Sequence, residues 1–171
     1  MRKEEFDHTI RAAGSILGED ELLVIGSQAV HAWIGGDLPP EAALSVESDI
    51  VAFDDESGEK ADLIDGSIGG ASMFHQTFGY YAQGVSAATA ILPNGWRKRL
   101  VRYETPATNG VAAWCLEAHD LWIAKAVAGR PKDSGFCRAL LDRGIVDASL
   151  LSRRLKQPPT SMWQFASGSS R

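Results

Sequence analysis

The feature that most constrains this chain is a pair of carboxylates inside an apolar, strand-like run, LSVESDIVAF, at residues 44–53. Successive side chains of a strand point to opposite faces, so Glu47 and Asp49 would share one face while Ser48 and Ile50 share the other. The bases of the two acidic side chains would lie roughly 6–7 Å apart. Like charges at this spacing repel each other unless a cation or a proton lies between them. The pair is therefore either an acidic edge that faces water or half of a metal site.

The size and composition of the chain are those of one globular domain. It has 171 residues, of which 44% are hydrophobic and 23% are charged, and this is enough to bury a substantial core. No apolar run reaches the length of a membrane span, and the acidic N-terminal segment differs from a signal peptide. We therefore expect a cytoplasmic protein without membrane association, in which Cys115 and Cys137 remain reduced thiols.

The charges are unevenly distributed along the chain. Residues 1–66 carry 4 basic and 16 acidic side chains, a balance of −12, whereas residues 67–171 carry 13 basic and 6 acidic ones, a balance of +7. The sum of −5 argues against a uniformly basic nucleic-acid-binding protein. It leaves open a cleft with acidic groups on one wall and cations on the other, or a mixing of the charges when the chain folds.

Hydrophobic spacing and glycine positions predict the helices. Phe6, Ile10 and Ala13 recur at helical spacing before Gly18, which predicts an N-terminal helix. Later helices are predicted at 117–129, 132–144 and 147–156, with shorter ones at 27–36 and within 61–84. We expect loops at 37–43 and 54–60, and a loose tail at 157–171.

Strands are predicted from short apolar runs with turn signals at their ends. Residues 21–26 read as a buried strand, and residues 85–93 and 97–104 read as two strands of a hairpin with Asn94-Gly95 at its turn. Strands with early helices, followed by a helical run, indicate an α/β or α+β core backed by helices.

A glycine and a serine follow the first strand. A strand that ends at Gly26 and a helix that begins at Ser27 would bring free backbone amides to a phosphate, and the serine hydroxyl would add a donor. The alternative is that Ser27 simply caps the helix.

The order of these motifs resembles the nucleotidyltransferase superfamily of the DNA polymerase β type: Gly-Ser at a strand end, a helix, then an acid-x-acid pair on the next strand. The segments KADLIDGSIGG, FHQTFGYYAQGV, LPNGWRKRLV and HDLWIAKAVAGRPKD resemble a bacterial group of nucleotidyltransferase-like proteins of unassigned function. That group is similar to the abortive-infection type toxins of toxin–antitoxin systems. The resemblance covers roughly residues 20–150.

The resemblance implies a fold and a set of site residues. The fold would be a nucleotidyltransferase-like mixed β-sheet flanked by helices, with a core at 1–110, a C-terminal helical part of the same domain at 111–157 and a flexible tail at 158–171. The resemblance implies that Gly26 and Ser27 bind a phosphate and that Glu47 and Asp49 bind Mg²⁺. It also implies catalytic roles for Glu47, Asp49, Lys125 and Asp133, and Lys125 would bind the nucleotide as well.

Two features depart from the pattern of that superfamily. The first acid is a glutamate where the relatives usually have aspartate, and no third carboxylate stands out as a general base, with Glu104 as the only guess. Lys125 is the single charge in LWIAKAVA, so it either extends along apolar surface to water or points at an anion in a cleft. Asp133 would orient Lys125 or a water, or it is a first-turn acid favoured by the helix dipole.

The implied activity is Mg²⁺-dependent transfer of a nucleoside monophosphate from an NTP to a hydroxyl of RNA or protein. As a toxin, the protein would act on an acceptor such as a tRNA or a protein side chain and would pair with an antitoxin. The alternative is a catalytically inactive protein of this fold that binds a nucleotide or a partner.

Other groups of residues permit two interpretations each. The basic segments at 97–102 and 153–156 would hold a polynucleotide backbone or serve solubility. The aromatic residues of the segment 74–81 would stack on a base or pack in the core. None of the four histidines has the spacing of a zinc site.

Overall fold

The protein is described here from a computed structural model, which covers residues 1–86 and 89–156 together with the backbone of residues 159–161. Its centre is a five-stranded mixed sheet formed by β1 (Glu21–Val24), β2 (Glu47–Val51), β3 (Tyr81–Gly84), β5 (Val101–Tyr103) and β6 (Ala112–Cys115). The strands lie in the order β3-β2-β1-β6-β5. The pairs β1–β6 and β2–β3 are parallel, and the pairs β1–β2 and β5–β6 are antiparallel. The predicted mixed α/β fold is thereby confirmed.

The first two strands follow the expected side-chain patterns. In β1, Leu22, Leu23 and Val24 are all buried, as is usual for a strand covered on both faces. In β2, Ser48 and Ile50 are fully buried, while Glu47 and Asp49 are partly exposed. The two acids therefore share one face of β2, as the alternation along the strand predicted.

The first half of the chain contributes four helices. They are α1 (Lys3–Leu17), α2 (Pro40–Ala43), α3 (Glu59–Ile68) and α4 (Met73–Phe78). Helix α1 ends where Gly18 adopts a left-handed backbone, with φ 68°, as the glycine predicted. Helix α3 contacts both β3 and α1, so these two helices cover the same region of the sheet.

The second half of the chain supplies the helices that complete the site. They are α5 (Ala118–Ala128), α6 (Pro131–Asp142) and α7 (Ala148–Leu155). Left-handed glycines follow α5 and α6, with φ 64° at Gly129 and φ 66° at Gly144, and α5 packs against both α6 and α7. The three predicted C-terminal helices are confirmed. No helix in the described part of the chain is both long and apolar enough to span a bilayer.

The predicted hairpin at 85–104 is wrong. Strand β4 (Ile91–Pro93) pairs with β7 (Pro159–Ser161) in a separate two-stranded sheet, while β5 pairs with β6 in the central sheet. Asn94 and Gly95 form a turn, with φ 76° at Gly95, but this turn leads into the 3₁₀ helix η2 (Trp96–Arg99) and not into a strand that pairs with β4. The pairing of both strands with distant segments overrides the local turn signal.

Other differences concern short elements. The predicted loop at 37–43 contains the one-turn helix α2, with Pro40 at its first position, where proline is tolerated. The helix expected at 27–36 is the 3₁₀ helix η1 (Ser27–Ala32), and another 3₁₀ helix, η3, spans Pro106–Thr108. Strands β3 and β6 were not predicted, and β7 lies within the predicted tail, whose residues 162–171 are outside the described part.

Candidate active site

The acid pair, Glu47 and Asp49, lies beside the end of β1. Ile50 pairs with Val24, and the Ile25 amide donates to the Asp49 carbonyl at 3.2 Å. Since β2 runs antiparallel to β1, the beginning of β2 and the glycine after β1 meet at the same edge of the sheet.

Gly26 provides the space that Asp49 occupies. A β-carbon built at Gly26 would lie 2.1 Å from Asp49 Oδ2, far inside van der Waals contact. The backbone of Gly26, with φ −89° and ψ −173°, is one that any residue can adopt. The glycine is therefore required by the close approach of the carboxylate and not by its backbone angles.

Ser27 is the first residue of η1, and Gly26 is the capping residue before it. The interpretation of Ser27 as a plain helix cap is therefore wrong. Its side chain is half-buried, beside the residue that contacts Asp49.

The carboxyl group of Asp49 keeps its proton to higher pH than an ordinary aspartate. Burial, followed by the hydrogen bond and the negative charge of Glu47, raises the pKa of Asp49 to about 6, while the charges of Lys125 and Arg130 oppose the increase. Below this pH, protonated Asp49 donates to Glu47; above it, two negative charges face each other. This is the electrostatic condition of a cation site.

Glu47 is held in its charged form. Burial is the strongest single influence on this group and acts to raise its pKa. Hydrogen bonds from Tyr81 and Asp49, together with the charges of Lys132 and Arg130, nevertheless hold the pKa of Glu47 below its usual value. Of the two acids, Glu47 therefore stays ionised to lower pH.

Strand β3 supplies the next side chains on this face. Tyr81 pairs with Glu47 across the parallel strands, and Gln83 pairs with Asp49. The Tyr81 hydroxyl donates to Glu47 Oε2 at 2.6 Å; this bond, then burial, then the negative charges of Glu47 and Asp49 raise the pKa of Tyr81 to about 12. The strand next to the acid pair thus presents a phenol and an amide at the paired positions.

Glu104 does not complete the acid pair. It follows Tyr103, which pairs with Ala113, and Ala113 in turn pairs with Leu22. Glu104 therefore lies towards the beginning of β1, at the opposite edge of the sheet from Gly26, where it forms an ion pair with Arg102. The guess that Glu104 is the third carboxylate is wrong.

Lys125 and Asp133 form a buried ion pair between α5 and α6. The Lys125 ammonium donates to Asp133 Oδ1 at 3.0 Å and lies 5.2 Å from the centre of the Phe136 ring. Only 8% of Lys125 and 3% of Asp133 is exposed. Lys125 is therefore held inside the protein and does not extend along the surface to water.

Arg130 is a second cation on Asp133. Its Nε donates to Asp133 Oδ2 at 2.7 Å. Burial alone would raise the pKa of Asp133, but the hydrogen bonds from Arg130 and Lys125 hold it below the usual value. One carboxylate thus fixes two cationic side chains.

These cations lie near the acid pair. Lys125 and Arg130 act to lower the pKa of Asp49 against the stronger effect of burial, and Lys132 and Arg130 act to lower that of Glu47. The structure therefore brings the predicted Gly26, Ser27, Glu47, Asp49, Lys125 and Asp133 to one region. Sequence reasoning missed Arg130, Lys132 and Tyr81; the signal for the first two was their position on either side of Pro131, directly before Asp133.

The two carboxyl groups suit a magnesium ion that takes its remaining ligands from water and a substrate. Within residues 1–86 and 89–156, no cluster of three or more His, Cys, Asp or Glu side chains is arranged to hold a metal. Mg²⁺ commonly binds through one or two carboxylates and completes its shell with water and substrate phosphates. The two adjacent carboxyl groups on one face of β2 fit that pattern.

Comparison with known proteins identifies the family. A family model described as "nucleotidyltransferase of unknown function (DUF6036)" matches residues 5–167. Neither a search of curated proteins nor a search of solved structures found a match. The match covers almost the whole chain, including every residue of the site described above, and the chain therefore belongs to the DUF6036 family of nucleotidyltransferases.

Proposed function

We propose that this protein transfers a nucleoside monophosphate from an NTP to a hydroxyl group of RNA or protein, with Mg²⁺ bound at the acid pair. The observation that carries the proposal is that two carboxylates lie close to three cationic side chains. One of these carboxylates, Asp49, packs so closely against Gly26 that any side chain at that position would collide with it. Phosphoryl transfer depends mainly on positioning and on neutralising negative charge, and this site has groups for both.

Glu47 and Asp49 would hold the metal ion. A bound Mg²⁺ supplies charge neutralisation on the phosphates and orients the reacting groups. The Tyr81 hydroxyl, which donates to Glu47 Oε2 at 2.6 Å, would fix the direction of that carboxylate. Asp49 would bind the ion in its ionised form, which predominates above about pH 6.

The cations would hold the triphosphate. Lys125, Arg130 and Lys132 carry the positive charge that faces the acid pair, and Asp133 would position Lys125 and Arg130 through its two oxygens. The Gly26 backbone and the Ser27 hydroxyl would contact a phosphate. In the reaction, the acceptor oxygen bonds to the α-phosphorus, the bond to the β-phosphate oxygen breaks, pyrophosphate leaves and the acceptor proton passes to solvent.

We further propose that the protein acts in the cytoplasm as the toxin of a toxin–antitoxin pair. The support for this role is the resemblance of its segments to abortive-infection type toxins. A tRNA or a protein side chain would be the acceptor, and an antitoxin would be the partner.

A second candidate function is nucleotide or partner binding without transfer. One observation favours it: the positions on β3 that pair with the acid pair hold Tyr81 and Gln83, so the neighbouring strand offers no carboxylate to accept a proton from the acceptor hydroxyl.

The test is label transfer from α-labelled NTPs in the presence of Mg²⁺, with total RNA or cell protein as acceptor. We expect the wild-type protein to label one of these pools and Asp49→Asn to leave it unlabelled. Asp62→Asn, which removes an exposed acid on α3, is the matched control and should retain the wild-type rate. An Asp49→Asn protein as active as the wild type would refute the proposed function. A rise in melting temperature with NTP and Mg²⁺, without transfer to any acceptor, would support the second candidate.

A further inference from the structure

Two basic segments that are distant in the sequence meet on one buried carboxylate. Asp120, fully buried on α5, accepts a hydrogen bond from Arg99 Nε at 2.8 Å and from Arg154 Nη1 at 2.7 Å. Arg99 belongs to η2 and Arg154 to α7. The pairing holds η2 and α7 close together on the same end of α5, because breaking it would leave a buried charge without a partner.

A second set of contacts fixes α7. Glu117, the capping residue of α5, accepts from Arg154 and contacts the His119 ring. The other ring nitrogen of His119 accepts from the Asp147 amide at 2.9 Å, directly before α7 begins. Both ends of α7 are thus attached to α5, so the helix face that α7 presents to solvent has a fixed position.

The remaining cations of these segments are exposed. Lys98 on η2, Arg153 on α7 and Lys156 directly after α7 face solvent; we call these three residues the basic surface. Within the described part of the chain none of them forms an ion pair, although Arg153 is near enough to Asp147 to contribute to lowering the pKa of that acid. In a chain with a net charge of −5, this is a local concentration of positive charge.

The basic surface lies at the same edge of the sheet as the candidate active site. η2 leads directly into β5, whose first residue Val101 pairs with Cys115, and Cys115 pairs with Val24 at the end of β1. Three strand spacings separate β5 from β2 in the sheet, which is about 14 Å. A chain-like ligand bound at the basic surface would therefore pass close to the acid pair.

We propose that the basic surface binds the sugar–phosphate backbone of a single-stranded RNA, and that this RNA is the acceptor. The inference rests on the proposed function and narrows its acceptor to RNA. A polynucleotide carries one phosphate per nucleotide, so a single strand supplies anions both for the basic surface and along the path towards the site. Lysine and arginine contacts to phosphates provide affinity without sequence specificity.

The test compares two charge-matched double variants by fluorescence polarisation with a labelled single-stranded RNA of mixed sequence. Lys98→Glu/Lys156→Glu reverses two charges of the basic surface. The control, Lys3→Glu/Arg138→Glu, reverses two exposed charges on α1 and α6 and changes the net charge equally. We expect the first double variant to weaken binding at least about tenfold in 50 mM salt and to reduce the slope of log K against log salt by about 1.4, and the control to bind as the wild type does.

The outcomes separate this inference from the proposed function. Equal RNA binding by both double variants, or absence of RNA binding by the wild type, would overturn the inference. Label transfer to protein that is insensitive to Lys98→Glu/Lys156→Glu would overturn it as well and would assign a protein acceptor. The proposed function would survive in that last case, since its failure is measured separately by Asp49→Asn. A shift in melting temperature with NTP and Mg²⁺, equal in the wild type and both double variants, would show that the candidate active site is intact in all three.

Discussion

Asp49→Asn should stabilise the protein at alkaline pH while it removes the activity. The pKa of Asp49 rises from 3.8 to about 6 in the folded protein, chiefly because the group is buried and lies against Glu47. Between these two values the folded state binds more protons than the unfolded state, so the free energy of unfolding falls as the pH rises through this window. The contribution of Asp49 is fully present below about pH 4 and fully lost above about pH 6.

The size of the effect follows from the shift. A change of one pKa unit corresponds to about 1.4 kcal/mol, so ionised Asp49 costs at most about 3 kcal/mol of stability at pH 8. Partial exposure of the side chain reduces this value, and we expect a difference of about 1–3 kcal/mol. An asparagine in this place has nearly the same shape, carries no charge and can still donate a hydrogen bond to Glu47.

The assay is urea unfolding of the wild type and Asp49→Asn at pH 8 and at pH 4, without metal or nucleotide. We expect the variant to be the more stable protein at pH 8 and the two to be nearly equal at pH 4, whereas Asp62→Asn should follow the wild type at both. A destabilised Asp49→Asn at pH 8, or a difference that does not change with pH, would refute the reasoning about the acid pair.

Two further substitutions test the parts of the site separately. Gly26→Ala should lower the rate of transfer about a hundredfold, because a β-carbon would meet Asp49 Oδ2 at 2.1 Å; an unchanged rate in a steady-state assay would contradict the close packing of these residues. Asp133→Asn should destabilise the protein by about 3 kcal/mol, since it leaves buried Lys125 without its counter-charge. Thermal or urea unfolding measures this loss, and a variant as stable as the wild type would contradict the buried ion pair.

The parts of the fold that were predictable are those with local causes. Helix α1 follows from the spacing of Phe6, Ile10 and Ala13 and from Gly18 after it, and the common face of Glu47 and Asp49 follows from strand alternation. These features need no knowledge of the neighbouring segments. The predicted roles of Gly26 and Asp49 came from a resemblance, and their direct contact is a finding of the structure.

The parts that were missed depend on distant partners. Strand β6 is rich in small alanines and β3 contains Gln83 and Gly84, so neither has an alternating apolar pattern, and each is a strand because its neighbours supply hydrogen bonds. Strand β5 lies beside β6 because of pairing across the sheet, which Asn94-Gly95 could not reveal. The position of Arg130 near the acid pair likewise depends on tertiary packing, because about 80 residues separate it from β2 in the sequence.

The most direct test of the account is a crystal structure with a non-hydrolysable NTP analogue and Mn²⁺. We predict an anomalous peak from the metal between the carboxylates of Glu47 and Asp49, with the triphosphate beside Gly26 and in contact with Lys125 or Arg130. A metal bound elsewhere, or a triphosphate that contacts neither the acid pair nor these cations, would contradict the claim that these residues form one nucleotide site.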